Sequence, residues 1–76
     1  MNATLHQQVV GITENYLGPA APRFIDRQIE FHLKKKPDEL TNQDLPQLVE
    51  WVKVSLALLT DDKKMVDECV DKLGNL

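Results

Sequence analysis

The sequence predicts an all-α, compact, four-helix bundle-like domain, on three observations. Apolar residues recur at helical spacing in four separate segments, and no convincing strand is found. Gly18-Pro19 and Pro37 fall between segments, where a chain breaks and restarts. The 76 residues suffice for one domain at most, so residues 1–76 are read as a single helical domain.

The first helix is expected over about residues 4–17. Leu5, Val9, Ile12 and Tyr16 share one face, and His6, Gln7, Gln8, Thr13, Glu14 and Asn15 cover the rest. Gly11 weakens the middle by about 1 kcal/mol relative to alanine. Gly18 suits the end of one helix and Pro19 the first position of the next.

The second helix is therefore expected over about residues 19–35. Pro22 lies near its first turn, where a missing N–H costs little. Ala21, Ile25, Ile29 and Leu33 form the inward face, with Phe24, Gln28 and Phe31 on an adjoining strip. Arg23, Asp26, Arg27 and Glu30 look toward solvent. Lys34, Lys35 and Lys36 sit where the helix dipole favours cations, and Pro37 ends the helix.

The third helix is expected over about residues 42–59, and two starts are open. Thr41 caps it with Asp44 three residues on, Leu40 and Leu45 forming a staple, or Asp44 caps a helix that begins at Leu45. Leu45, Leu48, Val49, Val52, Leu56 and Leu59 make one apolar stripe. Trp51, Val54 and Leu58 make a second, and Glu50 and Lys53 are the only charges between Leu45 and Leu59. A helix apolar on most of its circumference is buried on most of it. Trp51 either fills the bundle core against Phe24 or Phe31, or belongs to an interface. The fourth helix is expected over about residues 61–73. Thr60 is its cap, Asp61-Asp62 lie at the positive end of the dipole, and Met65, Val66, Cys69, Val70 and Leu73 form its stripe. Gly74 is the expected C-cap glycine, with Leu76 as its hydrophobic contact.

Composition narrows the function classes. The net charge is −3, and the one basic run, Lys34 to Lys36, is followed at once by Asp38 and Glu39. That is not the basic stripe of a nucleic-acid domain. A helix-turn-helix reader is also disfavoured because Lys53 is the only basic residue on the third helix, and a recognition helix needs several polar or basic side chains. No segment has the apolar length of a transmembrane helix, and no secretion signal is apparent, so no membrane partner and a cytoplasmic location are expected. Cys69 is the only cysteine and excludes an intramolecular disulfide. A core of this size supplies roughly 3–5 kcal/mol unless stapled. Self-association or unusually good helix packing is left to supply the rest.

No catalytic, cofactor-binding or metal-ligating set is expected. Asp61-Asp62 reads as a cap, and Asp67, Glu68 and Asp71 pair with Lys64 and Lys72 on a solvated face. Cys69 with His32 or His6 would be a nucleophile and base, but a cysteine on an apolar stripe is ordinarily a small core residue. His32 is expected as a hydrogen-bonded structural histidine. Gly18 is isolated, so no phosphate-cradling loop exists. A carrier domain needs an Asp-Ser pair at a helix start, and the chain has none.

Tyr16-Leu17-Gly18-Pro19-Ala20-Ala21, with Phe24-Ile25 and Arg27 behind it, resembles a short helical module of bacterial signalling proteins. There a Gly-Pro-Ile-Ala-type turn joins two helices beside serine/threonine kinases, phosphopeptide-binding domains or response-regulator-like chains. The likeness covers roughly residues 10–60, with Ala20 in place of the usual branched residue and Pro22 an addition. It implies an interaction or regulatory role and carries over no catalytic residue.

The expected function is accordingly a non-enzymatic protein–protein interaction or regulatory module, self-associating through the third helix as a homodimer. Its candidate contact residues are Trp51, Val54 and Leu58. The alternative is a small acidic adaptor or antitoxin-like regulator that masks a larger partner, its acidic fourth helix suiting a basic surface.

Overall fold

Thr4 starts the first helix by a reciprocal cap. Its hydroxyl oxygen accepts from the Gln7 amide at 3.1 Å, and Gln7 Oε1 accepts from the Thr4 amide at 3.0 Å. Such caps contribute about 1 kcal/mol. In the computed structural model, which describes residues 4–76, the regular elements are all helical and no strand occurs among the described residues. Helix α1 runs Leu5–Leu17 and stops at Gly18, whose φ of 61° is open to glycine at no steric cost.

The expected set of four regular helices is corrected. Three full-length helices, α1, α3 (Leu45–Leu59) and α4 (Lys63–Gly74), have 13, 15 and 12 residues. Between α1 and α3 lies a composite arm instead of one helix over 19–35. It consists of a 3-10 turn Gly18–Ala20, a short helix α2 (Ala21–Gln28), and a π turn Ile29–Leu33. Lys34 closes the arm in the left-handed conformation, with φ 59° and ψ 39°. The arm stops there because Pro37 drives Lys36 into extended backbone, with ψ 149°.

Other boundaries shift for local reasons. Residues 42–44 form a turn, and α3 begins at Leu45, the later of the two expected starts. The Asp44 carboxylate does not cap α3. It turns back to accept from the Thr41 amide at 3.1 Å, the Thr41 hydroxyl at 2.9 Å and Lys35 Nζ at 2.6 Å. Asp62, not Thr60, caps α4, its carboxylate accepting from the Met65 amide at 3.1 Å. The Thr60 hydroxyl instead accepts from the Asp62 amide and closes the turn between α3 and α4. Gly74 ends α4 inside the helix, and Asn75 takes the capping position.

Helix α3 packs along α4, while α1 lies against both α2 and α4. The fully enclosed side chains include Val9, Ile25, Ile29, Leu48, Val52, Leu56, Cys69 and Leu73. Each large apolar one contributes about 1.5–3 kcal/mol through burial. The inward face of α1 is rotated from expectation. Val9, Val10 and Thr13 are buried, whereas Leu5, Ile12 and Tyr16 only flank the core. Thr13 tolerates burial because its hydroxyl donates to the Val9 carbonyl one turn back at 2.8 Å. The Cα radius of gyration is 11.3 Å. That matches the roughly 11 Å expected for a compact chain of this length.

A candidate protein-interaction face

The arm and α3 lie side by side and antiparallel. Two contacts set their register. The Ser55 hydroxyl donates to Gln28 Oε1 at 3.0 Å, and one turn away the His32 ring stacks on Trp51. The ring centroids are 3.8 Å apart and the planes differ by 6°. Gln28 is buried, so its polar end requires this partner. His32 is engaged through its ring face rather than by the expected hydrogen bond.

Trp51 lies outside the core cluster, with 36% of its surface exposed. It packs on His32 rather than filling the core against Phe24 or Phe31. Val54 and Leu58, 50% and 84% exposed, continue its row along α3. Leu59, expected on the buried stripe, is instead 67% exposed, because it lies at the end of α3, a turn beyond the last enclosed residue, Leu56. On the arm, Phe24, Arg27 and Phe31 recur at i, i+3 and i+7, and Phe31 is exposed. The described chain has six exposed large apolar side chains. All but Leu76 belong to the arm or α3.

A groove of about 420 Å³ runs between these two elements. Ala20, Arg23, Phe24, Arg27 and Gln28 line it from the arm, and Ser55, Leu58 and Leu59 from α3. Sequence reasoning singled out Trp51, Val54 and Leu58 but missed the contributions of Leu59, Phe24 and the two arginines. The signal for the arm was present as the spacing of Ala20, Phe24, Arg27 and Phe31. On sequence alone, Phe24 and Phe31 fall on an adjoining strip and Arg27 on a solvated face, because spacing does not say where α3 lies.

The groups weighed for catalysis are engaged separately. Cys69 is enclosed on α4, where burial pushes its thiol up from the ordinary value, partly opposed by a hydrogen bond with Thr13. His6 Nε2 lies 2.6 Å from the Asp26 carboxylate, tying α1 to α2. His32 is held by Trp51. No group of three or more His, Cys, Asp or Glu side chains is placed to hold a metal ion among the described residues. No described helix is long and apolar enough to cross a membrane. No protein-family model, curated protein or solved structure matches the chain.

Proposed function

We propose that this chain is a non-enzymatic protein-interaction or regulatory module and that the arm–α3 face is its contact surface. One observation carries the proposal. Trp51, Val54, Leu58, Leu59 and Phe31 are exposed on the two elements that flank a groove, whereas the other large apolar side chains among the described residues, Leu76 aside, are enclosed or partly so. Large apolar side chains left exposed on two adjacent elements mark a candidate interaction site in small proteins. Trp is also enriched among the residues that dominate interface energies. The likeness of residues 16–27 to a helical module of bacterial signalling proteins suits a regulatory role. A cytoplasmic setting, where a lone thiol stays reduced, suits it too.

Self-association is one way to cover the face, with Trp51, Val54 and Leu58 of two copies packed together. Light scattering across a dilution series tests it. A dimer at tens of micromolar that Leu58→Glu converts to a helical monomer is the expected signature, and a wild-type chain monomeric throughout overturns it. The second reading is a small regulator that masks a different protein. The arginines at the groove favour this one, since a second copy would bring the same positive charges to the contact.

A further inference from the structure

The charge pattern of the groove narrows what covers it. Phe24 and Ala20 form one apolar wall, Leu58 and Leu59 the other. The charged residues in the lining are Arg23 and Arg27, and no Asp or Glu lines it. The two arginines are one helical turn apart on α2, roughly 6 Å along its axis. Neither forms an ion pair, the pairs among the described residues being His6–Asp26 and Lys35–Asp44. Arg23 and Arg27 also border a second depression on the arm, together with Pro19, Pro22 and the nearby carboxylates Asp26 and Glu30. Asp26 is already engaged by His6.

We propose that the groove binds an amphipathic α-helix of another protein. Its apolar stripe would seat on Phe24, Leu58 and Leu59 and extend toward Trp51, two turns back along α3, and its carboxylates would face Arg23 and Arg27. This rests on the reading of the arm–α3 face as a contact surface. Two adjacent antiparallel helices leave a trough that a third fills with residues at i, i+3 or i+4, and i+7. From Ala20 to Phe31 the arm spans about 16 Å at helical rise, or three turns of the incoming helix. Carboxylates one turn apart on that helix match the Arg23–Arg27 spacing. Guanidinium groups bind carboxylates through paired, charge-assisted hydrogen bonds.

A second copy of this chain does not offer such a stripe. Helix α4 carries Asp67, Glu68 and Asp71, but its Val66, Cys69 and Leu73 are buried in its own core. Helices α1 and α3 carry one acidic residue each, Glu14 and Glu50. The arm carries Asp26 and Glu30 one turn apart, but Asp26 is held by His6 and both are interleaved with Arg23 and Arg27, which would meet the other copy's arginines.

Trp51, the single tryptophan, reports on the face. The test titrates the full chain with a tryptophan-free, N-acetylated peptide of about four helical turns. The peptide carries leucine at i, i+3 and i+7 and glutamate at flanking positions one turn apart. Trp51 fluorescence should shift to the blue and saturate in the micromolar range at low salt. The same peptide with lysine for glutamate should bind at least about tenfold more weakly, and the Arg23→Glu/Arg27→Glu chain should reverse the preference. Leu58→Asp should abolish binding of both peptides. Equal affinity for the acidic and basic peptides overturns recognition of carboxylates while leaving the apolar contact face standing. No saturable binding of the acidic peptide to a chain of intact helicity overturns the proposal too, and the dilution series then judges self-association separately.

Discussion

Thr13 and Tyr16 both place a hydroxyl inside the fold, one turn apart on α1, with opposite outcomes. The Thr13 hydroxyl donates to the Val9 carbonyl at 2.8 Å. The Tyr16 hydroxyl is buried and makes no hydrogen bond of ordinary geometry among the described residues; Lys72, whose Nζ stands 5.5 Å from the ring centroid, has its pKa raised chiefly by the Tyr16 side chain. A buried polar atom left unpaired costs about 1–3 kcal/mol. Tyr16→Phe removes that atom and keeps the ring, so urea unfolding should show unchanged or increased stability, by up to about 1 kcal/mol. A loss larger than that would mean the hydroxyl has a partner in solution. Cys69 gives a second test at this scale. Its enclosed thiol, held protonated by burial, should react with a disulfide reagent only as fast as the chain opens, and at once in denaturant. Fast labelling of the folded chain would contradict that burial.

The arm is the element whose ends are most exposed to test. Lys34 sits at φ 59°, a left-handed conformation that costs a residue with a Cβ about 1 kcal/mol and glycine much less. Lys34→Gly should therefore raise the unfolding free energy by roughly 0.5–1 kcal/mol in chemical denaturation. A lower value would mean that the lysine side chain contributes more than its backbone costs. Beyond the arm, Lys35 reaches Asp44 and joins the arm's end to the turn before α3. The Lys35 hydrogen bond holds the Asp44 carboxyl below its ordinary value, with Thr41 adding to the effect and burial opposing it. A carboxyl whose pKa is lower folded than unfolded stabilises the fold fully above the unfolded value, about 3.9. That contribution is lost as pH falls through the lowered folded value. Thermal melts should show Asp44→Asn less stable than wild type at pH 7, with the gap closing below about pH 4. A gap that stays constant down to pH 2 would show that the charge plays no part.

At the scale of the whole molecule, the helices enclose their core and leave the arm–α3 face outside it. Val54→Glu and Leu58→Glu should then change monomer stability by no more than about 0.5 kcal/mol. Leu56→Ala, on the enclosed side of the same helix, should cost about 2–5 kcal/mol, a large fraction of what a chain this short possesses. Denaturant unfolding at a concentration where the chain is monomeric distinguishes the two classes. Loss of stability in the Leu58 variant comparable to Leu56→Ala would remove the face as a free surface.

Local spacing was enough to place the helical segments, the Gly18 stop and the enclosed rows Leu45, Leu48, Val52, Leu56 and Val66, Cys69, Leu73, because those rows follow from the 3.6-residue period alone. Trp51, Val54 and Leu58 were visible as a second apolar row for the same reason. Periodicity relates residues on one helix to each other and says nothing of which neighbour covers them. Packing against α4 and the arm decided that the first row of α3 is enclosed and the second is open. Packing likewise turned Thr13 inward and set His32 on Trp51. It also brought Arg23 and Arg27 to the groove beside Leu58. These outcomes depend on contacts between different elements, such as His32 with Trp51 and Gln28 with Ser55. No window of the sequence contains them.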